Sequence, residues 1–181
     1  MSVGDWISGG REMIIELSIS VRPLFVAAGW HPGRTIALAP DVSVDHPAAA
    51  ILTEFGGLHV GQSGTGEECA KGDVVFKHIH QGEYVLDVWG KLLSTELVGI
   101  AEVHNRHAEL YIDRSDRFFC YSNVDDGFRF EGSSFGEAIE RVLLGRRSRP
   151  MLRPDQRTVW HYGEEISADD PRVYNTVDPK F

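Results

Sequence analysis

Apolar runs separated by turn residues fill the middle of the sequence, and they restrict the fold more than any other feature. Residues 97–103 are nearly all apolar, which is typical of a buried strand. Tyr111 and Asp113 lie on the polar side of an alternating stretch, which predicts a half-buried strand. Turn residues follow at 114–116 and 125–127. The pattern predicts successive hairpins, that is, an antiparallel meander.

The segment after the meander carries the clearest helix signal. Ser134 and Glu137 have the spacing of a capping box, and Gly145 supplies a C-terminal stop. Between them, apolar residues recur at helical spacing and define one buried side of the helix. The residues on that side are Phe135, Ala138, Ile139, Val142 and Leu143.

Further helices are predicted earlier in the chain. Residues 5–28 have helical spacing, as one helix or two short ones, and another helix capped by Asp45 ends at Gly56-Gly57. A third covers about Glu83 to Leu93. Its inward residues are expected to be Val85, Val88, Trp89 and Leu92. Strands and helices are segregated, so we predict an α+β fold in which an antiparallel meander is flanked by helices at its N-terminal, middle and C-terminal sides.

Length and composition are those of one domain with an extension. A chain of 181 residues that is 42% apolar can bury one core. We assign the domain to residues 1–145 and treat 146–181 as a polar extension. The sequence has no apolar run of membrane-spanning length and no secretory signal, so we expect a cytoplasmic protein. Cys69 and Cys120 are then expected to be buried free thiols, with one disulfide as the alternative.

The negative charge is concentrated in the first 145 residues. The net charge is -9, and residues 146–181 hold seven Lys or Arg and six Asp or Glu, so the body carries -10 and the extension +1. This sign argues against a protein that neutralises nucleic-acid phosphates. An acidic body favours either steering toward a basic partner or simple solubility.

The common sequence motifs of catalysis are absent. Gly61, Gly64 and Gly66 have neither the Walker A nor the dinucleotide spacing, and the acids Glu67 and Glu68 follow them, so a hairpin tip is predicted. No GxSxG or HExxH motif occurs, and neither cysteine lies in an activating motif. We therefore predict a protein that is not an enzyme and has no cofactor.

Two histidine pairs are candidate metal ligands. His78 and His80 lie two residues apart on a predicted strand, and His104 and His107 lie in a predicted hairpin loop. Either pair would hold a metal ion if a carboxylate joined it, but no third ligand occurs at a recognised spacing. We predict no metal site. A small metal-dependent hydrolase or deaminase-like enzyme using His104 or His107 is the less favoured alternative, which stoichiometric zinc would support.

Acidic residues near the hairpin turns are the candidate partner-binding residues. Carboxylates held on rigid turns at a sheet edge can recognise a basic protein. A dispersed, solvated surface is the alternative. The candidates are Glu67, Glu68, Asp113, Asp116, Asp125 and Asp126.

The stretch GWHPGR at residues 29–34 is predicted to be a fold element and not a ligand-binding loop. A helix ends before Trp30, whose large ring is expected to anchor the turn in the core. Pro32 and Gly33 then redirect the chain into a strand-like segment at 35–38. Arg34 lacks a phosphate-loop context and is expected to pair with a carboxylate.

The order of these motifs resembles the SUKH superfamily of bacterial immunity proteins, most closely its third subgroup. The resemblance covers about residues 20–145. The matching pieces are AAGWHPGR at 27–34, ILTEFGGLHV at 51–60, LVGIAEV at 97–103, LYID at 110–113 with RFF after it, and SSFGEAIERVLLG at 133–145. Many relatives have a proline and a glycine where this chain has Gly99 and Ala101. The matching residues to which we assign structural roles are Trp30, Gly33, Phe55, Gly56, Gly57 and Gly145.

The resemblance implies a helix-flanked α+β scaffold that binds and neutralises a toxin domain of a polymorphic toxin system, often a nuclease or a nucleic-acid deaminase. It implies no catalytic residues. The expected partner is a toxin with a basic active-site surface, without direct contact to nucleic acid or membrane. A regulatory protein-binding scaffold is the alternative, and a toxin gene immediately upstream would favour immunity over it.

Overall fold

A seven-stranded antiparallel sheet forms the centre of the computed structural model, which describes residues 15–80 and 83–175. The strands are β1 His59–Val60, β2 Gly64–Thr65, β3 Ala70–Lys71, β4 Val74–Ile79, β5 Leu97–Val103, β6 Ala108–Asp113, β7 Phe118–Ser122, β8 Gly127–Gly132, β9 Arg149–Met151, β10 Thr158–His161 and β11 Glu164–Ser167. The order in the sheet is β1-β4-β5-β6-β7-β8-β9, while β2–β3 and β10–β11 form separate hairpins. Strands β4 to β9 follow one another in sequence, which confirms the predicted meander and the α+β class.

Short helices accompany the sheet. They are α1 Arg22–Ala27, α2 Ala48–Phe55, α3 Glu83–Val85, a π-helical turn Leu86–Gly90, α4 Lys91–Leu93 and α5 Phe135–Leu144. Helix α5 is as predicted: the Ser134 hydroxyl accepts a hydrogen bond from the Glu137 amide, and all five predicted apolar residues are buried. The Glu137 carboxylate accepts from the Ser133 amide, one residue before the cap.

Helices α1, α2 and α5 cover one side of the sheet and build the larger core. Phe25, Phe55, Phe76 and Phe135 meet there, and the rings of Phe55 and Phe135 stack with centroids 4.9 Å apart. Each buried phenylalanine contributes about 1.5–3 kcal/mol relative to an exposed one. This aromatic cluster fixes the three helices on the sheet and with them the loops between the helices.

The other side of the sheet is also covered, which the sequence analysis did not anticipate. Tyr111 and Asp113 are fully buried, so the prediction that β6 is half-buried is wrong. The segment from α3 to α4 and the chain after α5 pack on this side, and Trp89 stacks on Phe128 with centroids 4.4 Å apart. A strand covered on both sides no longer needs a polar side chain at every second position.

The π-helical turn changes which leucine of the third predicted helix faces the sheet. Val85 and Trp89 are buried and Val88 is partly buried, as predicted, but Leu92 is 40% exposed and Leu93 packs against the core instead. A π-helical turn closes i→i+5 hydrogen bonds and so inserts one residue into the helix. The inward positions after it are therefore shifted by one residue.

Two local predictions at the first helices are wrong in part or in full. Of the region predicted to be helical, residues 22–27 form α1 as predicted, but Ile15 and Leu17 precede it in a non-helical segment, and residues 5–14 lie outside the described residues. Asp45 does not cap α2: the N-cap residue is Pro47, and the first helical amide, that of Ala48, donates to His46 Nδ1 over 3.1 Å.

The segment at residues 35–38 is not a strand either. The Ile36 amide donates to the carbonyl of Thr53 in α2 over 2.9 Å. A helix carbonyl near the helix C-terminus lacks an internal partner, so it is available to such a donor. The chain therefore runs along α2 and not along a neighbouring strand.

The chain after Gly145 extends the sheet. Strand β9 pairs with β8, and further along Tyr174 stacks on Phe130 with centroids 3.9 Å apart. Cys120 is buried and Cys69 is partly buried, and both are free thiols. None of the helices in the described part of the chain has the length and apolar character needed to cross a bilayer.

Candidate partner-binding site

Glu67 and Glu68 lie in the turn of the β2–β3 hairpin and contact the segment after α5. Arg146 Nε lies 2.7 Å from a Glu67 carboxylate oxygen, and the Arg147 amide donates to the Glu68 carboxylate over 2.7 Å. Both glutamates are exposed. These contacts tie the hairpin to the end of α5, and an arginine partly neutralises Glu67.

Asp113 and Asp116 belong to the turn between β6 and β7. Asp113 is fully buried, and its carboxylate accepts hydrogen bonds from the Ser115 and Arg117 amides and from Arg117 Nε. Asp116 is partly buried and has a positive φ of 61°. Asp113 therefore organises this turn from inside and offers no surface to a partner.

Asp125 and Asp126 form the turn between β7 and β8. Burial alone would raise the pKa of Asp125, but a hydrogen bond from Ser122 and the neighbouring Arg129 guanidinium hold it below its usual value. Asp126 accepts a hydrogen bond from the Tyr121 hydroxyl over 2.8 Å, and Arg153 lies 3.6 Å from it.

These six acids do not form one surface. Successive turns of an antiparallel meander lie at opposite ends of the sheet. The β6–β7 turn with Asp116 is therefore separated from the β7–β8 turn with Asp126 by the length of β7, which at about 3.4 Å per residue is roughly 17 Å.

The residues with predicted structural roles lie near the larger core. Phe55 is fully buried, and the half-buried Trp30 stacks on it with ring centroids 6.4 Å apart. The Trp30 indole nitrogen donates to the Glu54 carboxylate over 2.9 Å. Gly33 lies in the exposed turn that follows Trp30. The part of the Trp30 ring that Phe55 does not cover lines a groove at the protein surface.

Gly56 and Gly57 end α2, and Arg34 caps that end. Arg34 donates to the carbonyls of Glu54 and Gly56, the latter over 2.8 Å. The expected pairing of Arg34 with a carboxylate is therefore wrong, because the unpaired carbonyls at the C-terminus of a helix attract the guanidinium instead.

Gly145 ends α5 at a position that favours glycine for two reasons. Its φ of 72° lies in the left-handed region, and a Cβ atom there would lie 2.8 Å from Gly66 Cα. Gly66 thus has a packing role against the end of α5.

An acidic groove of about 980 Å³ lies beside these residues. The segment 15–18, the turn after α1, the end of α2 and the start of α5 form its walls. Its charged and aromatic lining residues are Glu16, Arg22, Trp30, Glu54, Glu137 and Glu140. Four carboxylates and one guanidinium give the lining a formal charge of -3.

Two of the four glutamates are already paired with arginines. Arg141 contacts Glu137 over 2.8 Å, and Arg146 contacts Glu140 over 2.6 Å. In the described parts of the chain, no cation lies within ion-pair distance of Glu16 or Glu54. Glu54 accepts a hydrogen bond from the neutral indole N–H of Trp30, which brings no positive charge to the carboxylate.

Apolar surface borders these charges. Leu17 and the Trp30 ring line the acidic groove, the Arg22 guanidinium lies 5.6 Å from the centre of that ring, and Ile19 in the adjoining turn is 93% exposed. A half-buried tryptophan beside carboxylates is typical of the anchor residues of protein interfaces.

Sequence reasoning missed this groove because its residues come from four separate segments. Glu137 was recognised only as part of a capping box, and Glu16, Glu54 and Glu140 carry no spacing signal. The one available signal was Trp30, a large aromatic residue between two turn glycines. Its half-buried position becomes visible only when α1, α2 and α5 meet.

The predicted histidine pairs have different surroundings. His104 packs with its ring against Gly72, and burial lowers its pKa. Within residues 15–80 and 83–175, potential ligand groups come together in a set of three at Asp41, His78 and His80, and not around His104.

A comparison with protein-family models identifies the family of this chain. A model of the family described as SUKH-3 immunity protein matches residues 17–145. The chain belongs to the SUKH-3 immunity protein family. No curated protein and no solved structure matches it. Membership of the SUKH-3 family implies a role in neutralising a toxin, and the matched region contains every charged and aromatic residue of the acidic groove except Glu16.

Proposed function

We propose that this SUKH-3 protein neutralises its toxin by direct binding, and that the acidic groove is the surface it uses. The observation that carries the proposal is that Glu16 and Glu54 line the same concave surface as the half-buried Trp30, and that no cation among residues 15–80 and 83–175 pairs with either glutamate. An aromatic anchor beside uncompensated carboxylates complements a basic, protruding surface. Binding without catalysis suffices for this function.

The partner class follows from the charge of the acidic groove. Enzymes that act on nucleic acid bind phosphates with clustered lysines and arginines. We propose a nuclease or nucleic-acid deaminase toxin whose basic substrate channel is covered by this protein in the cytoplasm. Electrostatic attraction between the two surfaces would accelerate association at low salt.

Charge reversal tests the proposed surface. We expect the double variant Glu16→Lys/Glu54→Lys to bind the cognate toxin at least tenfold more weakly, mainly through slower association, because it places like charges against the basic partner. Binding kinetics at two salt concentrations and rescue of growth in cells that express the toxin are the measurements.

Two control variants give the experiment its specificity. Asp87→Lys reverses an exposed acid in the π-helical turn, on the opposite side of the sheet, and should leave affinity within twofold. Glu67→Lys/Glu68→Lys reverses acids predicted from sequence. If this variant loses binding while Glu16→Lys/Glu54→Lys binds normally, the interface lies at the β2–β3 hairpin. That result would contradict the proposal.

A further inference from the structure

Two histidines and one aspartate converge on a single point beside the start of α2. The Nδ1 atoms of His78 and His80 lie 3.2 Å and 2.9 Å from the same Asp41 carboxylate oxygen, Oδ2. All three ligand atoms lie within 4.8 Å of one another. The carboxylate that the sequence could not supply to the His78–His80 pair thus comes from a turn 37 residues earlier in the chain.

Two parts of the fold position these side chains: the end of β4 positions the two histidines, and the turn before α2 positions Asp41. Strand β4 has an irregularity between Phe76 and Ile79 where it pairs with β5, and the backbone of Gly99 leaves room for Ile79 at this point. His78 lies within the irregular stretch and His80 directly after the strand. Asp41 precedes Val42, which is buried in the larger core and anchors the turn.

The contact between His78 and Asp41 does not have the geometry of a hydrogen bond, unlike that between His80 and Asp41. His78 Nδ1 is buried and makes no hydrogen bond among the described residues, although Asp41 Oδ2 is only 3.2 Å away. An imidazole nitrogen that lies close to a carboxylate oxygen without pointing at it can share a metal ion with that oxygen. Zinc with bond lengths of about 2.0–2.1 Å and tetrahedral angles requires ligand atoms roughly 3.3 Å apart. The His78 nitrogen lies 3.2 Å from the Asp41 oxygen, close to this value, and the His80 nitrogen is nearer, at 2.9 Å.

We propose that Asp41, His78 and His80 bind a divalent transition-metal ion of the zinc type. Two imidazole nitrogens and one carboxylate oxygen favour such an ion over calcium or magnesium, which prefer oxygen ligands. The side chains of His80 and Asp41 are 65% and 48% exposed, so a water molecule can occupy a fourth position. The ion joins the turn before α2 to the end of β4, and this binding is independent of any toxin.

Metal titration of the tag-free full chain tests the proposal without a toxin. We expect isothermal titration with Zn²⁺ to give one ion per chain. We also expect bound Co²⁺ to produce the visible absorption bands of a cobalt ion with a low coordination number. Zn²⁺ should also raise the melting temperature, because a ligand that binds only the folded state stabilises it.

Matched variants decide whether the site is the one described. His80→Ala and Asp41→Asn should weaken Zn²⁺ binding at least tenfold, since the loss of a direct ligand costs no less than the loss of a supporting residue. His31→Ala removes an exposed histidine from the turn after Trp30 and should bind like the unaltered protein. Melting without metal checks that each variant folds. Absence of saturable binding, or equal binding by His80→Ala and His31→Ala, would overturn the proposal.

Discussion

At the scale of single residues, Trp30 connects the stability of the fold with the proposed interface. One side of its ring stacks on Phe55, while another part lines the acidic groove and its indole nitrogen donates to Glu54. The sequence predicts a core position for Trp30 and no surface role, because a single sequence shows how large a side chain is but not how much of it a neighbour covers.

Substitution of Trp30 separates these two roles. Trp30→Ala should lower the free energy of unfolding by about 1–3 kcal/mol, less than for a fully buried tryptophan, because only part of the ring is covered. Trp30→Phe keeps an aromatic ring against Phe55 and should recover most of that stability but not the toxin affinity. Denaturant unfolding and binding measurements report the two effects. Full affinity in Trp30→Ala would exclude Trp30 from the interface.

Glu131 makes the stability of the protein depend on pH. It is buried in β8, and burial raises its pKa from 4.5 to about 7. The folded protein therefore retains a proton that the unfolded chain releases above about pH 4.5, so the contribution of Glu131 to stability is greatest below that pH and falls as the pH rises to about 7. The fall amounts to about 3 kcal/mol.

The variant Glu131→Gln should lack this dependence. The difference in unfolding free energy between the two proteins, measured from pH 4 to pH 8, should change in favour of the variant as the pH rises. Two parallel pH profiles would show that Glu131 titrates as it does in the unfolded chain.

At the scale of helices and strands, a regular sequence pattern predicts the element well, but it does not predict an irregularity within that element. Helix α5 has regular helical spacing and strand β5 is an apolar run, and the structure confirms both elements, but the register shift of β5 against β6 between Gly99 and Ala101 was not predicted. The π-helical turn inserts one residue into an apparently regular helix, and no residue type marks that insertion. The prediction of inward-facing residues is therefore correct at Trp89 and wrong at Leu92.

Alanine substitutions measure the consequence of that insertion. Leu93→Ala should reduce the free energy of unfolding by about 1–2 kcal/mol, whereas Leu92→Ala should cost less than about 1 kcal/mol, because the π-helical turn directs Leu93 and not Leu92 against the core. Urea unfolding of both variants gives the comparison. A larger loss in Leu92→Ala would indicate a regular α-helix over residues 83–93.

At the scale of the whole molecule, both sides of the sheet are covered, and this determines which acids remain available. The burial of Asp113 follows from the second covered side, which a pattern within one strand does not report. The acidic groove likewise depends on three helices that are distant in sequence. Fold class and family follow from local patterns, whereas the site depends on long-range contacts that such patterns do not encode.

Hydroxyl-radical footprinting of the toxin complex tests the proposed interface most directly, because the chain contains its own control. Trp30 lines the acidic groove, whereas Trp160 is 61% exposed on β10 outside it. We predict that toxin slows the oxidation of Trp30 severalfold and leaves the oxidation of Trp160 unchanged. Unchanged oxidation of Trp30, with protection of Trp160 or of neither, would contradict binding through the acidic groove.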